Sequence, residues 1–132
     1  MAMKKTAALA LSLSLAGGTL LAAQDTTVKS LLLKDLAGTP GKELSMITVE
    51  YRPGATDPVH RHHAQAMVYV LEGSVVMQVA GKDPVTLLPG QTFYEGPDDV
   101  HVVARNASQT EPAKFLVFFV KDKGAPILIP AK

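Results

Sequence analysis

Cysteine is absent from this sequence. Disulfide bonds and thiolate metal ligands are therefore excluded, and any metal site must be built from nitrogen and oxygen donors. An oxidising compartment is compatible with this composition but is not required by it. Internal repeats and low-complexity linkers are also missing, and the 132 residues suffice for one domain with a single core.

A strong excess of charge of either sign is missing as well. Lysine and arginine number 13 and aspartate and glutamate 12, which gives a formal net charge of +1 at pH 7. The basic residues are scattered along the chain rather than clustered. Binding of a polyanion requires a basic patch, so we do not expect nucleic acid as a partner.

The start of the chain has the organisation of a secretory signal peptide. Lys4 and Lys5 form a positive region, an uncharged run of apolar and small residues follows at 6–16, and small residues lead to Ala23. Export would place the protein in the periplasm or outside the cell.

We predict cleavage after residue 23, which leaves one domain over residues 24–132 and no attachment to a membrane. The alternative is a retained membrane anchor, because Leu21 stands where a small residue is preferred before the cleavage site. The apolar run is, however, shorter than the about 20 residues that a bilayer core needs.

Sustained helical periodicity does not occur beyond this leader. Short apolar and β-branched runs recur instead, each ended by glycine, proline or aspartate. The candidate strands are residues 28–36, 44–51, 67–71, 74–80, 85–88, 100–104, 114–120 and 126–129. We interpret 27–38 as a strand rather than a short helix, and Glu72-Gly73 as a tight hairpin turn. The spacing predicts an all-β fold, either an antiparallel barrel or a sandwich.

The run 114-KFLVFFV-120 is apolar on both faces. Alternate side chains of a strand point to opposite sides, and here the two sets are Phe115, Val117 and Phe119 against Leu116, Phe118 and Val120. One set would fill a barrel, and the other needs a second sheet or a second subunit to cover it. With the further apolar segments 30–33 and 126–129, this pattern predicts a homodimer.

The histidines are concentrated in 60-HRHHAQAM-67, and the only one outside this stretch is His101. His60 and His62 are separated by one residue, so on a strand both imidazoles project from the same face and can share one ion. His63 has the opposite parity and is expected to face solvent. These residues alone are also compatible with a metal-free barrel that they line as polar groups.

The surroundings of the histidines resemble the two signatures of the cupins. Residues 54–73 match the first, G-x5-H-x-H-x3-E-x6-G, at Gly54, His60, His62 and Gly73. Residues 90–106 match the second, G-x5-P-x-G-x2-H-x3-N, at Gly90, His101 and Asn106, with one extra residue before the asparagine. The resemblance implies a small antiparallel double-stranded β-barrel of the jelly-roll type. It also implies one divalent transition metal (Fe, Mn, Ni, Cu or Zn) held by His60, His62 and His101.

The chain departs from the first signature at its fourth ligand. Ala66 occupies the position of the acidic residue and has no donor atom. Gln65 carries an amide oxygen, but it has the wrong parity on a regular strand and would reach the metal only if the backbone bulges. Glu50 and Glu95 are conceivable substitutes for the missing carboxylate.

The resemblance implies a metal-binding cupin, with a dioxygenase-like oxidoreductase acting on a small organic molecule as the first interpretation. A three-histidine site with open coordination positions lets a metal contact substrate directly. The alternatives are a secreted cupin that binds a ligand or metal without turnover, and a metal-independent isomerase-like cupin. The sequence assigns no catalytic residue.

Overall fold

The computed structural model describes residues 25–131, so the predicted signal peptide at 1–23 lies outside the described residues. This range contains ten strands and no helix, hence no helix capable of crossing a membrane. The strands are β1 (Thr26–Asp35), β2 (Lys42–Tyr51), β3 (His60–Arg61), β4 (Ala64–Glu72), β5 (Val75–Val79), β6 (Val85–Leu87), β7 (Thr92–Glu95), β8 (Val100–Asn106), β9 (Ala113–Asp122) and β10 (Ile129–Pro130).

The strands form two antiparallel sheets. Sheet A has the order β1-β2-β9-β4-β7, and sheet B has the order β10-β3-β8-β5-β6. Neighbours in each sheet are mostly distant in sequence, which is the arrangement of a jelly roll. The prediction of a small antiparallel all-β barrel is confirmed.

Alternation along the long strands of sheet A creates the core. Side chains of β4 and β9 are alternately buried and exposed or half-buried, and those of β2 follow the same alternation except that Thr48 is also buried. Each strand therefore presents one face to the interior. The interior face of β9 carries Phe115, Val117 and Phe119, as expected from the sequence. The Phe115 ring contacts Tyr51 of β2 edge-on, with ring centroids 5.2 Å apart.

Two features of the topology differ from the sequence expectations. Glu72-Gly73 does not close a hairpin, because β4 pairs within sheet A and β5 pairs within sheet B. The chain instead passes from one sheet to the other at Gly73, whose φ of 68° and close approach to the Pro112 carbonyl exclude a side chain. The short strands β3 and β7 were not predicted, and the predicted strand at 126–129 is reduced to β10.

In the segment 27–38 the residues up to Asp35 form a strand, β1, rather than a helix. It is the edge strand of sheet A and pairs with β2 over almost its full length. Val28 of β1 borders the cavity, although the side chains of β1 after Thr26 are all exposed.

Candidate metal centre

Four buried side chains meet inside the barrel: His60, His62, Glu95 and His101. His60 on β3 is the direct cross-strand partner of His101 on β8. His62 follows β3, and Glu95 ends β7. Each of the four is less than a tenth exposed, so the cluster is almost completely removed from water.

The donor atoms are close enough to share one ion. One ligand atom from each residue can be chosen so that all four lie within 4.8 Å of one another. The ring centroids of His60 and His62 are 4.9 Å apart, as are those of His60 and His101. His62 Nε2 lies 3.1 Å from Glu95 Oε2, and His101 Nδ1 contacts Glu95 Oε1.

Backbone carbonyls orient two of the imidazoles. His60 Nδ1 donates to the Pro58 carbonyl at 2.8 Å, and His62 Nδ1 donates to the Ile127 carbonyl. With Nδ1 protonated, the neutral ring keeps its lone pair on Nε2. A hydrogen bond on the second nitrogen fixes the tautomer of a metal-bound histidine, so His60 is prepared to coordinate a metal through Nε2. His62 has the same orientation, but its Nε2 contacts Glu95 and coordinates only after losing any proton shared there.

Burial and mutual contact set the charges in the cluster. Burial alone would raise the pKa of Glu95, but its close contacts with the imidazoles of His101 and His62 outweigh that effect and lower its pKa to about 2. Burial lowers the pKa of His60 and favours its neutral form. For His62, burial opposes the charged form, yet hydrogen bonds to Glu95 and Ile127 raise its pKa overall. Glu95 is therefore an anionic donor among imidazoles.

Hydrogen bonding within the described residues leaves part of the cluster unsatisfied. His101 Nδ1 and Nε2 and Glu95 Oε1 are buried without a hydrogen-bond partner, and the contact between Nδ1 and Oε1 lacks hydrogen-bond geometry. Unsatisfied buried polar atoms are costly, and a bound cation would satisfy Glu95 Oε1 and one nitrogen of His101. Imidazole nitrogens with one carboxylate oxygen suit a divalent transition metal. The residues present therefore fit the metal that the cupin resemblance implies.

The structure brings three predicted ligands together and leaves the fourth outside. His60, His62 and His101 share the cluster, and His63 is exposed as its parity indicated. Gln65 is also exposed, on the outer face of β4. The bulge that it required is absent, because β4 and β9 pair without interruption from Ala64 to Val70. The expectation that Gln65 contributes a ligand is corrected by this register.

Glu95 is the donor that the sequence analysis mentioned only as a conceivable substitute for the missing carboxylate. It is the cross-strand neighbour of Ala66 in the pairing of β4 with β7. The small Ala66 side chain, fully buried, leaves room for the carboxylate of the adjacent strand. The alternation in 92-TFYE-95, with Phe93 and Glu95 on one face, was the available signal.

An interior cavity of about 240 Å³ adjoins the cluster. Its walls are chiefly apolar and include Ile47, Val49, Val68, Phe115, Val117 and Ile127. The cluster lies in the wall of this cavity, so a metal held there would face any bound molecule.

The sequence profile of the cupin domain matches residues 47–119. This match covers more than half of the chain, and the chain therefore belongs to the cupin family. No curated protein sequence matches the chain.

Several solved structures share the fold. A DMSP lyase from Ruegeria pomeroyi superposes with a TM-score of 0.64 and 20% identity, over 81% of this chain and 52% of that one. An oxalate oxidase in complex with glycolate superposes with a TM-score of 0.61 and 24% sequence identity, over 80% of this chain and 54% of that one. The cupin_2 domain of an XRE-family transcriptional regulator from Enterobacter cloacae superposes with a TM-score of 0.57 and 26% sequence identity, over 73% of this chain and 96% of that one. The present chain thus spans about half the length of the two enzymes.

Proposed function

We propose that this protein is a metal-dependent cupin oxidoreductase of the dioxygenase-like kind, acting on a small organic molecule. The observation that carries the proposal is the buried group of three imidazoles and one carboxylate in the wall of an apolar cavity. An oxidase and a lyase named for small organic compounds share the fold, which supports this choice.

The protein's contribution follows from the contacts of the four donors. The Pro58 and Ile127 carbonyls hold two rings with Nε2 available, and Glu95 offsets part of the charge of a cation. A divalent metal bound there would supply Lewis acidity and, for a redox-active ion, electron transfer. The apolar walls exclude water from a molecule placed beside the cluster, which strengthens electrostatic interactions inside.

Elemental analysis of untagged protein, purified without chelators, tests the first part of this proposal. We expect about one transition metal ion per chain, and a much lower content in His101→Ala. Oxygen consumption with a panel of small organic compounds tests the second part. A metal content near zero in folded protein would contradict metal dependence and favour the isomerase-like alternative. Full metal content without turnover of any compound would favour a non-catalytic binding protein.

We further propose that the protein is a homodimer joined through the outer face of sheet A. A continuous apolar row crosses this face, because Met46 pairs with Phe118, Phe118 with Met67, and Met67 with Tyr94. From strand spacing and length, the face offers on the order of 700 Å². A standard interface buries about 800 Å² on each partner, so two copies paired through this face would bury an area close to that of a standard interface.

A further inference from the structure

One polar group of the cavity has no role in the metal cluster: the carboxylate of Asp57. Its Oδ2 accepts a hydrogen bond of 2.5 Å from the Tyr51 hydroxyl, and its Oδ1 accepts one of 3.2 Å from Thr26 Oγ1. The Asp57 backbone N–H donates to the Ala104 carbonyl at 2.8 Å. The carboxylate is therefore fixed in position at the cavity wall.

Asp57 retains acceptor capacity after these contacts. An ionised carboxylate offers about four lone-pair sites, and the two hydroxyl groups occupy one on each oxygen. Within residues 25–131, no lysine, arginine or histidine forms an ion pair with Asp57. Its negative charge is thus free to interact with a molecule in the cavity.

The charges of the cavity lining are of one sign apart from the imidazoles. Among the described residues that line it, the acidic ones are Asp57 and Glu95, and lysine and arginine are not represented. A site built for carboxylates or phosphates presents basic side chains, usually arginine. This lining therefore opposes anionic ligands beside Asp57.

The size and walls of the cavity restrict the ligand further. A cavity of about 150 Å³ lined by apolar residues is known to accept benzene, and the cavity here measures about 240 Å³. It therefore accommodates one ring with a short substituent. The apolar walls match an apolar body, and Asp57 is positioned to accept a hydrogen bond from one polar end.

Building on the proposed function, we infer that the substrate is a small molecule with a largely apolar body and a hydroxyl or amino group that donates to Asp57. Neutral and cationic molecules are selected and carboxylates are rejected at this end of the cavity. Asp57 is then a specificity-determining residue, and the Tyr51 and Thr26 hydroxyls fix its orientation.

Four probes of matched shape test the inference: benzylamine, benzyl alcohol, toluene and benzoate. Each is titrated calorimetrically at neutral pH, first into metal-free protein, so that coordination to a metal does not contribute, and then into zinc-loaded protein. We expect metal-free wild-type protein to bind benzylamine and benzyl alcohol at least about tenfold more tightly than benzoate. Asp57→Asn should reduce the preference of benzylamine over benzoate about tenfold and leave toluene affinity within about twofold.

Asp83→Asn is the matched control, since it removes the same charge from an exposed turn away from the cavity. It should leave all four affinities unchanged. A purely structural role of Asp57, as an anchor of the loop before His60, would lower metal affinity without changing the order of the probes. Metal content of Asp57→Asn is measured alongside to separate the two roles.

Three results would overturn the inference: a wild-type preference for benzoate, no measurable binding of benzylamine or benzyl alcohol at millimolar concentration, or a probe preference unchanged in folded Asp57→Asn. If Asp57→Asn does not fold, the wild-type ratio of benzylamine to benzoate decides alone. Absence of bound metal, with an Asp57-dependent preference in metal-free protein, would remove the proposed function and leave the inference standing. Metal binding without an Asp57-dependent preference would leave the proposed function standing and remove the inference.

Discussion

Glu95 lies directly across the strand pair from Ala66 and brings to the cluster the carboxylate that Ala66 lacks. The cupin signature places an acidic ligand at position 66 on β4, whereas in this protein the carboxylate comes from β7. Both side chains are buried.

Transfer of the carboxylate from one strand to the other should be reversible. We expect Glu95→Ala to lower metal affinity at least about tenfold, because the only anionic donor of the cluster is lost. Adding Ala66→Glu to Glu95→Ala should restore part of that affinity, as measured by titration with Mn²⁺ or Ni²⁺. The exposed Glu50→Gln serves as control and should bind metal as wild type does. No recovery in a folded double variant would show that a carboxylate at position 66 does not reach the ion.

The histidines should divide into two groups in an alanine scan. His60→Ala, His62→Ala and His101→Ala each remove a donor of the cluster, and elemental analysis should show a strong loss of bound metal. His63→Ala and Gln65→Ala affect exposed side chains and should retain the metal content of wild type. A loss of metal in the second pair equal to that in the first would contradict the observed register.

A buried ion pair should make the barrel sensitive to acid. Lys121 and Glu43 are cross-strand partners on β9 and β2, and both are about 95% buried. The hydrogen bond from Lys121, followed by the backbone N–H of Gly124, lowers the pKa of Glu43. When folding lowers the pKa of a carboxyl group, that group stabilises the protein at pH values above its ordinary pKa of 4.5. This contribution is lost as the pH falls through the pKa of the folded state.

Lys121→Met should therefore unfold at a temperature lower by roughly 5 °C or more at pH 7, because Glu43 is left buried without its partner. The difference from wild type should shrink in acid below pH 4.5, where protonation of Glu43 removes the unpaired charge. Lys123→Met, which breaks an exposed ion pair with Asp35, is the control and should change the unfolding temperature little. Differential scanning calorimetry across this pH range measures both variants, and equal effects of the two substitutions would argue against the buried pair.

The proposed dimer should depend on the apolar row of sheet A. Light scattering at micromolar concentration should give twice the monomer mass for residues 24–132. Met67→Lys places a charge in the centre of the row and should give a monomer with an unchanged circular dichroism spectrum. Thr86→Lys, on exposed β6 of sheet B, should remain dimeric. A monomeric wild type would exclude this interface.

The amino-terminal segment should be removed during export. Expression in a bacterial host should yield a periplasmic protein whose intact mass lacks the first 23 residues. Recovery of the full-length mass in the membrane fraction would instead favour a retained anchor. This measurement also decides the proposed periplasmic or secreted location.

The strands that carry strong alternation could be predicted from the sequence, and the pairing between them could not. The alternation of 44–51 and the short continuous apolar run of 114–120 are local patterns, so they indicated β2 and β9 directly. Gly73 was correctly placed in a turn, but whether a turn closes a hairpin or crosses between sheets depends on distant partners.

In the site, too, the residues set by local patterns could be predicted and those set by strand pairing could not. His60 and His62 share a face because of their spacing alone, and the cupin signature supplied His101. Glu95 belongs to a strand of four residues bounded by turns, too short for its pattern to stand out. Its place opposite Ala66 follows from the pairing of β4 with β7, which no local pattern contains.

The carbonyl of Ile127 has a consequence for the order in which the centre is assembled. Ile127 fixes the ring of His62, and the backbone N–H of Ala131 donates to Val59 at 3.2 Å, just before His60. Both contacts come from the chain beyond β9, although the residues that they hold lie more than sixty positions earlier. During synthesis His60 and His62 are added to the chain more than sixty residues before these partners exist. For the proposed metal centre, loading would therefore be completed only after translation has passed residue 127.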